Sequence, residues 1–308
     1  MKHETAGDPM TGLKWTRRTT EKVAAELSSL GIEVSPRTVS RLLKKMGFSL
    51  RVNHKKLSQD SPQHRDKQFA QIADLRERFA ADGCPVISVD TKKKELVGVF
   101  KNAGVAWNRQ PVAVNDHDFR SDALGMAVPY GVYDLLANRG TLFVGTSYDT
   151  PQFAVASIEK WWRTEGKIRY PRARKLAILA DGGGSNSARC RAWKHNLQHA
   201  LSDLHRLTVT VAHYPPGASK WNPIEHRLFS EVSKNWAGRP LDSYETILRY
   251  IRSTRTSTGL RVRAHLIRKE YPKGIKIDDS EMEKLALQKH QPLPLWNYTL
   301  QPRRRCSD

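Results

Sequence analysis

Two stretches decide the fold: Pro85-Val86-Ile87-Ser88-Val89-Asp90 and Lys175-Leu176-Ala177-Ile178-Leu179-Ala180-Asp181. Each is a short apolar run, bounded by polar or turn-forming residues and too short for a typical helix. Such runs read as strands buried on both faces, which requires a sheet covered by helices on each side. Each run also ends in an aspartate. A carboxylate in that position lies at the carboxyl edge of the sheet, where α/β proteins bind their ligands.

The surrounding chain supports this reading. Further strands are expected over Glu95–Phe100, Thr141–Thr146 and Leu207–His213. Helices are expected over Thr150–Trp162 and Ser187–Leu204, and from Asn222 or Pro223 onward. Three strands in a row, then alternating helices and strands, give an α/β domain with a mixed sheet flanked by helices. Ahead of it, residues 62–82 place Phe69, Ile72, Leu75 and Phe79 on one helical face.

Residues 1–16 read as irregular, and two short helices follow. The first starts at Thr20 and stops at Leu30-Gly31; the second is capped by Ser35, has Pro36 at its first position and closes at Gly47. This fits an N-terminal all-α helix-turn-helix region. Val39, Leu42, Leu43 and Met46 form the apolar face of the second helix. Arg37, Thr38, Ser40, Arg41, Lys44 and Lys45 form the opposite face, suited to a major groove. A plain helical hairpin with a solvated basic face would show the same pattern.

The charge balance favours DNA. Across 308 residues, 52 Lys+Arg stand against 31 Asp+Glu, a net charge of +21, which calls for a polyanionic partner. No apolar run approaches the roughly 18 residues of a spanning helix, and Met1–Thr5 lacks the start of a signal peptide. No membrane partner is therefore expected. Cys84, Cys190 and Cys306 form no CxxC pair, which excludes a zinc ribbon and argues against a disulfide scaffold. A cytoplasmic protein is expected. His195 and His199 share a helical spacing but lack the glutamate of HExxH, and Gly145-Thr146-Ser147-Tyr148-Asp149 is not a nucleophile elbow.

A third carboxylate, Glu225, follows Asn222-Pro223 in the first turn of a helix. Three acids from separate elements at one sheet edge would suit a hard cation such as Mg²⁺ and phosphoryl-transfer chemistry. On spacing alone Asp134, Asp149 and Glu231 are rivals, because an aspartate after a strand often only forms a turn or caps a helix.

Four motifs then bear on the choice: Pro85–Glu95 (PVISVDTKKKE), Ala127–Asp134 (AVPYGVYD), Ala180–Asn186 (ADGGGSN) and Pro215–Phe229 (PPGASKWNPIEHRLF). In this order they resemble the Rhodopirellula-type DDE transposases of bacterial insertion sequences. Asn222–His226 is also similar to the third-acid motif of mariner-like transposases. The resemblance runs from about Gly7 to Leu300. It implies an RNase H-like catalytic domain in which Asp90, Asp181 and Glu225, 91 and 44 positions apart, are the catalytic, metal-binding acids.

It further implies two Mg²⁺ ions (Mn²⁺ substituting), cleavage of transposon inverted-repeat ends, joining to target DNA, and a homodimer in a bacterial, nucleoid-associated setting. Lys92, Lys93, Lys94, Lys220, Asn222, His226 and Arg227 flank the acids and are candidate DNA contacts, although a lysine run is as often simply solvated. The expected organisation is a helix-turn-helix region over 1–60, a connecting helix over 61–83, the RNase H-like domain over 84–250 and a basic C-terminal extension over 251–308. The alternatives are a truncated or non-catalytic transposase that only binds DNA, and a nuclease of the same fold that cuts without joining.

Overall fold

A computed structural model describes residues 5–7, 14–16, 19–49, 62–218 and 221–303. The chain divides into two compact units, Met1–Lys56 and Leu57–Asp308.

In the first unit, β1 (Thr5–Gly7) and β2 (Lys14–Thr16) pair antiparallel ahead of α1 (Thr20–Ser29) and α2 (Pro36–Lys45). The N-terminal region is therefore not all-α, and strands of three residues are too short to show a period in sequence. Ser35 caps α2 as expected, accepting from the Thr38 N–H, and Thr19 caps α1 by accepting from the Lys22 N–H. Gly31 and Gly47 end them at φ of +82° each, a backbone region that suits glycine. Val23, Ala24 and Val39 are buried together, with Leu27, Val34 and Leu43 packed around them. Leu42 and Met46 are exposed, contrary to expectation. A single facing helix covers only one flank of the α2 stripe.

The second unit begins with α3 (Pro62–Ala81), β3 (Val86–Thr91), β4 (Glu95–Val97), β5 (Gly125–Asp134) and β6 (Arg139–Gly145). Next come α4 (Pro151–Trp161), which runs through a wider turn into α5 (Lys167–Arg169), then β7 (Lys175–Ala180), α6 (Arg191–Leu197) and β8 (Thr208–His213). A helical turn at Glu225–Phe229 leads into α7 (Ser230–Asn235), and α8 (Tyr244–Ser253), β9 (Arg261–Ile267), α9 (Asp279–Glu283), β10 (Leu287–Lys289) and β11 (Asn297–Leu300) complete it. None of the described helices is long and apolar enough to cross a membrane.

The main sheet has the order β10-β11-β8-β7-β3-β5-β6-β9, with β4 added on β5. β3, β5 and β6 run as an antiparallel meander, whereas β7 lies parallel to β3 and β8 parallel to β7. This is the RNase H-like arrangement of five central strands. Residues 251–308, expected as an extension, supply both ends of the sheet: β9 pairs with β6, and β11 with β8.

Alternation along the strands sorts the core. Ile87, Val89, Tyr130 and Val132 face α4 and Trp193 of α6. On the other face, Val86, Ala177 and Leu179 meet Ile72, Leu75 and Phe79 of α3. Beside them Ala127, Tyr133 and Leu142 meet Ile224, Leu228 and Val232 of the Glu225 helix. Ser88 and Asp90 share the face of Val86, so the strand that builds the core also directs Asp90 toward the Glu225 helix.

Candidate active site

Asp90 is the penultimate residue of β3, and Asp181 immediately follows β7. Val89 stands opposite Ala180 in this parallel pair, so the two aspartates emerge next to each other at one edge. Each carboxylate accepts a local backbone hydrogen bond: Asp90 from the Thr91 N–H at 2.7 Å, and Asp181 from the Gly183 N–H at 3.3 Å.

Glu225 comes from a different layer, and a serine brings it in. Ser88 lies two residues before Asp90 and is fully buried. Its hydroxyl donates to Asn222 Oδ1 and accepts from the Ile224 N–H at 3.3 Å. The start of the Glu225 helix is thereby fixed to the strand that carries Asp90. On β5, Gly131 stands opposite Asp90; a Cβ there would lie 2.5 Å from Phe229 and 2.8 Å from Ile224. The absent side chain lets the helix approach this closely.

The resulting electrostatics are strained. Asp90 is pushed up to about 8, first by burial and then by the charges of Asp181 and Glu225, and a hydrogen bond with Glu225 further favours its protonated form. Burial also raises Asp181, assisted by Glu225 and Asp149 and opposed by the Gly183 N–H. Tyr130, beneath the acids, donates to Asn186 at 2.9 Å, and burial holds its phenol well above the usual range. The acidic pocket is lined by Asp90, Asp149, Asp181, Lys93, Lys94 and Ser185, among others.

Among the described residues, no three His, Cys, Asp or Glu side chains form a ready-made metal cage. Mg²⁺ does not require one, since it takes one or two carboxylates and keeps several waters. The donors are all hard oxygens, and their mutual repulsion is what a divalent cation would relieve. The residues fit such an ion.

The candidate DNA contacts divide by burial. Lys93 and Lys94 are exposed and line the acidic pocket, whereas His226 and Arg227 are exposed on the helix of Glu225, with Arg227 beside the Tyr133 phenol. Arg37, Arg41, Lys44 and Lys45 are exposed on α2, and Thr38 and Ser40 are half-buried beside them. Two expectations need correction. Asn222 is fully buried and engaged by Ser88, so it positions the Glu225 helix and presents nothing to DNA. Lys92 is buried too, its ammonium 3.1 Å from Glu95 and 4.5 Å from the centre of the Trp236 ring. Burial lowers its pKa, opposed by Glu95. Lys220 lies outside the described residues.

Sequence reasoning missed Ser88, Gly131 and Tyr130. Ser88 alone carried a signal, a hydroxyl in an otherwise apolar run. It also left Asp149 as a rival to the third acid, whereas the pocket holds it beside Asp90 and Asp181.

Fold and site together define an RNase H-like α/β domain with a carboxylate cluster at the carboxyl edge of its sheet. The family model of the Rhodopirellula transposase DDE domain matches residues 1–302, and the chain belongs to this family. Among curated proteins, none matches the sequence. Solved structures that resemble it include the Mos1 transposase paired-end complex with left transposon end, at 16% identity and TM-score 0.44, covering 76% of this chain and 65% of that one. A pre-cleavage Mos1 transpososome is similar at 16% identity and TM-score 0.43, with the same coverage of 76% and 65%. The chain thus spans just under two thirds of the Mos1 chains it resembles.

Proposed function

We propose that the protein is a transposase that binds transposon ends and catalyses metal-dependent cleavage and strand transfer. The observation that carries this reading is the convergence of Asp90, Asp181 and Glu225, from three separate elements, in a member of a DDE transposase family. Asp90 and Asp181 would hold the divalent cations with Glu225, Mg²⁺ being the natural choice and Mn²⁺ a substitute. When bound, these ions supply activation of the attacking hydroxyl and stabilisation of the leaving oxygen.

The chain's own groups do the rest. Ser88 and Asn222 set the reach of Glu225. Lys93 and Lys94 offer ammonium groups to phosphates at the pocket mouth, contacts that place DNA without reading it. At Gly184 a Cβ would meet nothing within 4 Å, so a DNA strand can approach the backbone there. Arg37, Arg41, Lys44 and Lys45 of α2 read the ends, with Thr38 and Ser40 beside them. Two ends must be brought together before joining, which calls for a homodimer acting on double-stranded DNA.

The reading is tested with a labelled element end and a target plasmid, in Mg²⁺ or EDTA, with Glu225→Gln alongside. Metal-dependent cutting and joining, both abolished in Glu225→Gln, is the expected result. Cutting without joining would make the protein a nuclease. Binding indifferent to metal and to the substitution would make it a DNA-binding protein only.

A further inference from the structure

Asp149, between β6 and α4, is half-buried and lines the same pocket as Asp90 and Asp181. An acid just before a helix commonly serves as its cap. Here that role is taken by Thr150, whose hydroxyl accepts from the Phe153 N–H at 3.2 Å. Asp149 is instead hydrogen-bonded to the Thr91 hydroxyl, which donates to its Oδ1 at 3.1 Å. Thr91 is the next residue after Asp90, so this hydroxyl ties a fourth acid to the strand of the first. Among the described residues, no lysine or arginine forms a salt bridge with Asp149, although Lys93 and Lys94 line the same pocket.

The pocket wall supplies a second, independent sign of a ligand. Ser185 is only 6% exposed, and its Oγ has no hydrogen-bond partner among the described residues. A buried hydroxyl left unpaired is destabilising, and a water held by a cation would satisfy it. Two carboxylates with retained waters already make a complete Mg²⁺ environment.

We propose that Asp149 is a further acidic ligand of this pocket, holding a hydrated divalent cation together with Asp181, while Ser185 hydrogen-bonds the water shell. The proposal rests on the divalent-metal reading above and adds to it a residue outside the three family acids.

The test is Mn²⁺ binding to the full chain without DNA, followed by titration calorimetry and by the paramagnetic resonance of free Mn²⁺. Wild type, Asp149→Asn, Asp149→Ala and Asp90→Asn are compared, with circular dichroism confirming the fold. The two Asp149 variants ensure that one folded protein suffices. The expected result is that the folded Asp149 variants weaken one Mn²⁺-binding event by about tenfold or more, and that Ser185→Ala weakens the same event less. If both Asp149 variants bind Mn²⁺ as wild type does while Asp90→Asn binds it more weakly, the proposal is overturned and the metal site stands. If wild type binds no Mn²⁺ up to millimolar concentration, the divalent-metal reading fails and this proposal with it.

Discussion

Replacing Asp90 with asparagine should make the metal-free protein more stable at pH 8, although it removes a central residue of the site. The amide has nearly the shape of the carboxyl, and its Oδ1 can still accept the Thr91 N–H. What it lacks is a charge that burial, Asp181 and Glu225 all oppose. Asp90 rises from 3.8 to about 8 in the folded chain, and each pKa unit corresponds to about 1.4 kcal/mol. A carboxyl whose pKa is raised by folding contributes stability below its unfolded pKa and loses it as pH climbs through the folded one. The penalty therefore grows from under about 1 kcal/mol at pH 4 to an upper limit of about 5 kcal/mol at pH 8. At roughly 2–4 °C per kcal/mol for a unit of this size, that ceiling corresponds to Asp90→Asn melting up to about 10–20 °C above wild type at pH 8 in EDTA. The gap should close toward pH 4. Differential scanning calorimetry across this range is the assay, and an equal or lower melting temperature for Asp90→Asn at pH 8 would mean that the buried Asp90 charge does not destabilise the fold.

Other perturbations test the surroundings. Gly131→Ala places a methyl against Phe229 and Ile224, and overpacking of this kind costs about 1–3 kcal/mol in thermal stability while displacing the Glu225 helix. An unchanged melting temperature would mean that the helix is not held against β5. Buried His213, which donates to the Asp181 carbonyl at 3.1 Å, has its pKa lowered to about 4, first by burial. Its stabilising effect is complete above about pH 6.5 and is lost toward pH 4, roughly 3 kcal/mol in all. The acid limb of the stability profile should flatten in His213→Asn. Arg41→Ala on α2 should weaken binding of an element end by about 1–3 kcal/mol, read by fluorescence anisotropy at fixed salt, and a wild-type affinity would remove α2 from DNA recognition.

The strands of Asp90 and Asp181 were legible because a strand covered on both faces writes itself as an uninterrupted apolar run, and the terminal acid shows the edge. β5 was not, since Pro129 and Gly131 interrupt its pattern; both sit within a ten-residue strand, and Gly131 serves a neighbouring layer. Glu225 could be singled out only through the family resemblance. Its position depends on a contact between Ser88 and Asn222, 134 residues apart, and no local pattern encodes it. Sequence shows charge without direction. Lys92, Lys93 and Lys94 look alike in the chain, yet Lys92 turns inward to Glu95 and Trp236 while its two neighbours stay exposed. The C-terminal segment read as a basic appendage because charge outweighs the short apolar runs of β9 and β11, which register only once β6 and β8 offer them partners.

Whether Asp90 serves a metal-dependent DNA-cutting and DNA-joining site is decided by cleavage of a labelled transposon end by Asp90→Ala and wild type, each in Mg²⁺ and in EDTA, with end binding measured in parallel. Both proteins are expected to bind the end, and only wild type with Mg²⁺ to cut it. Full Mg²⁺-dependent cleavage by Asp90→Ala would remove Asp90 from the cutting site.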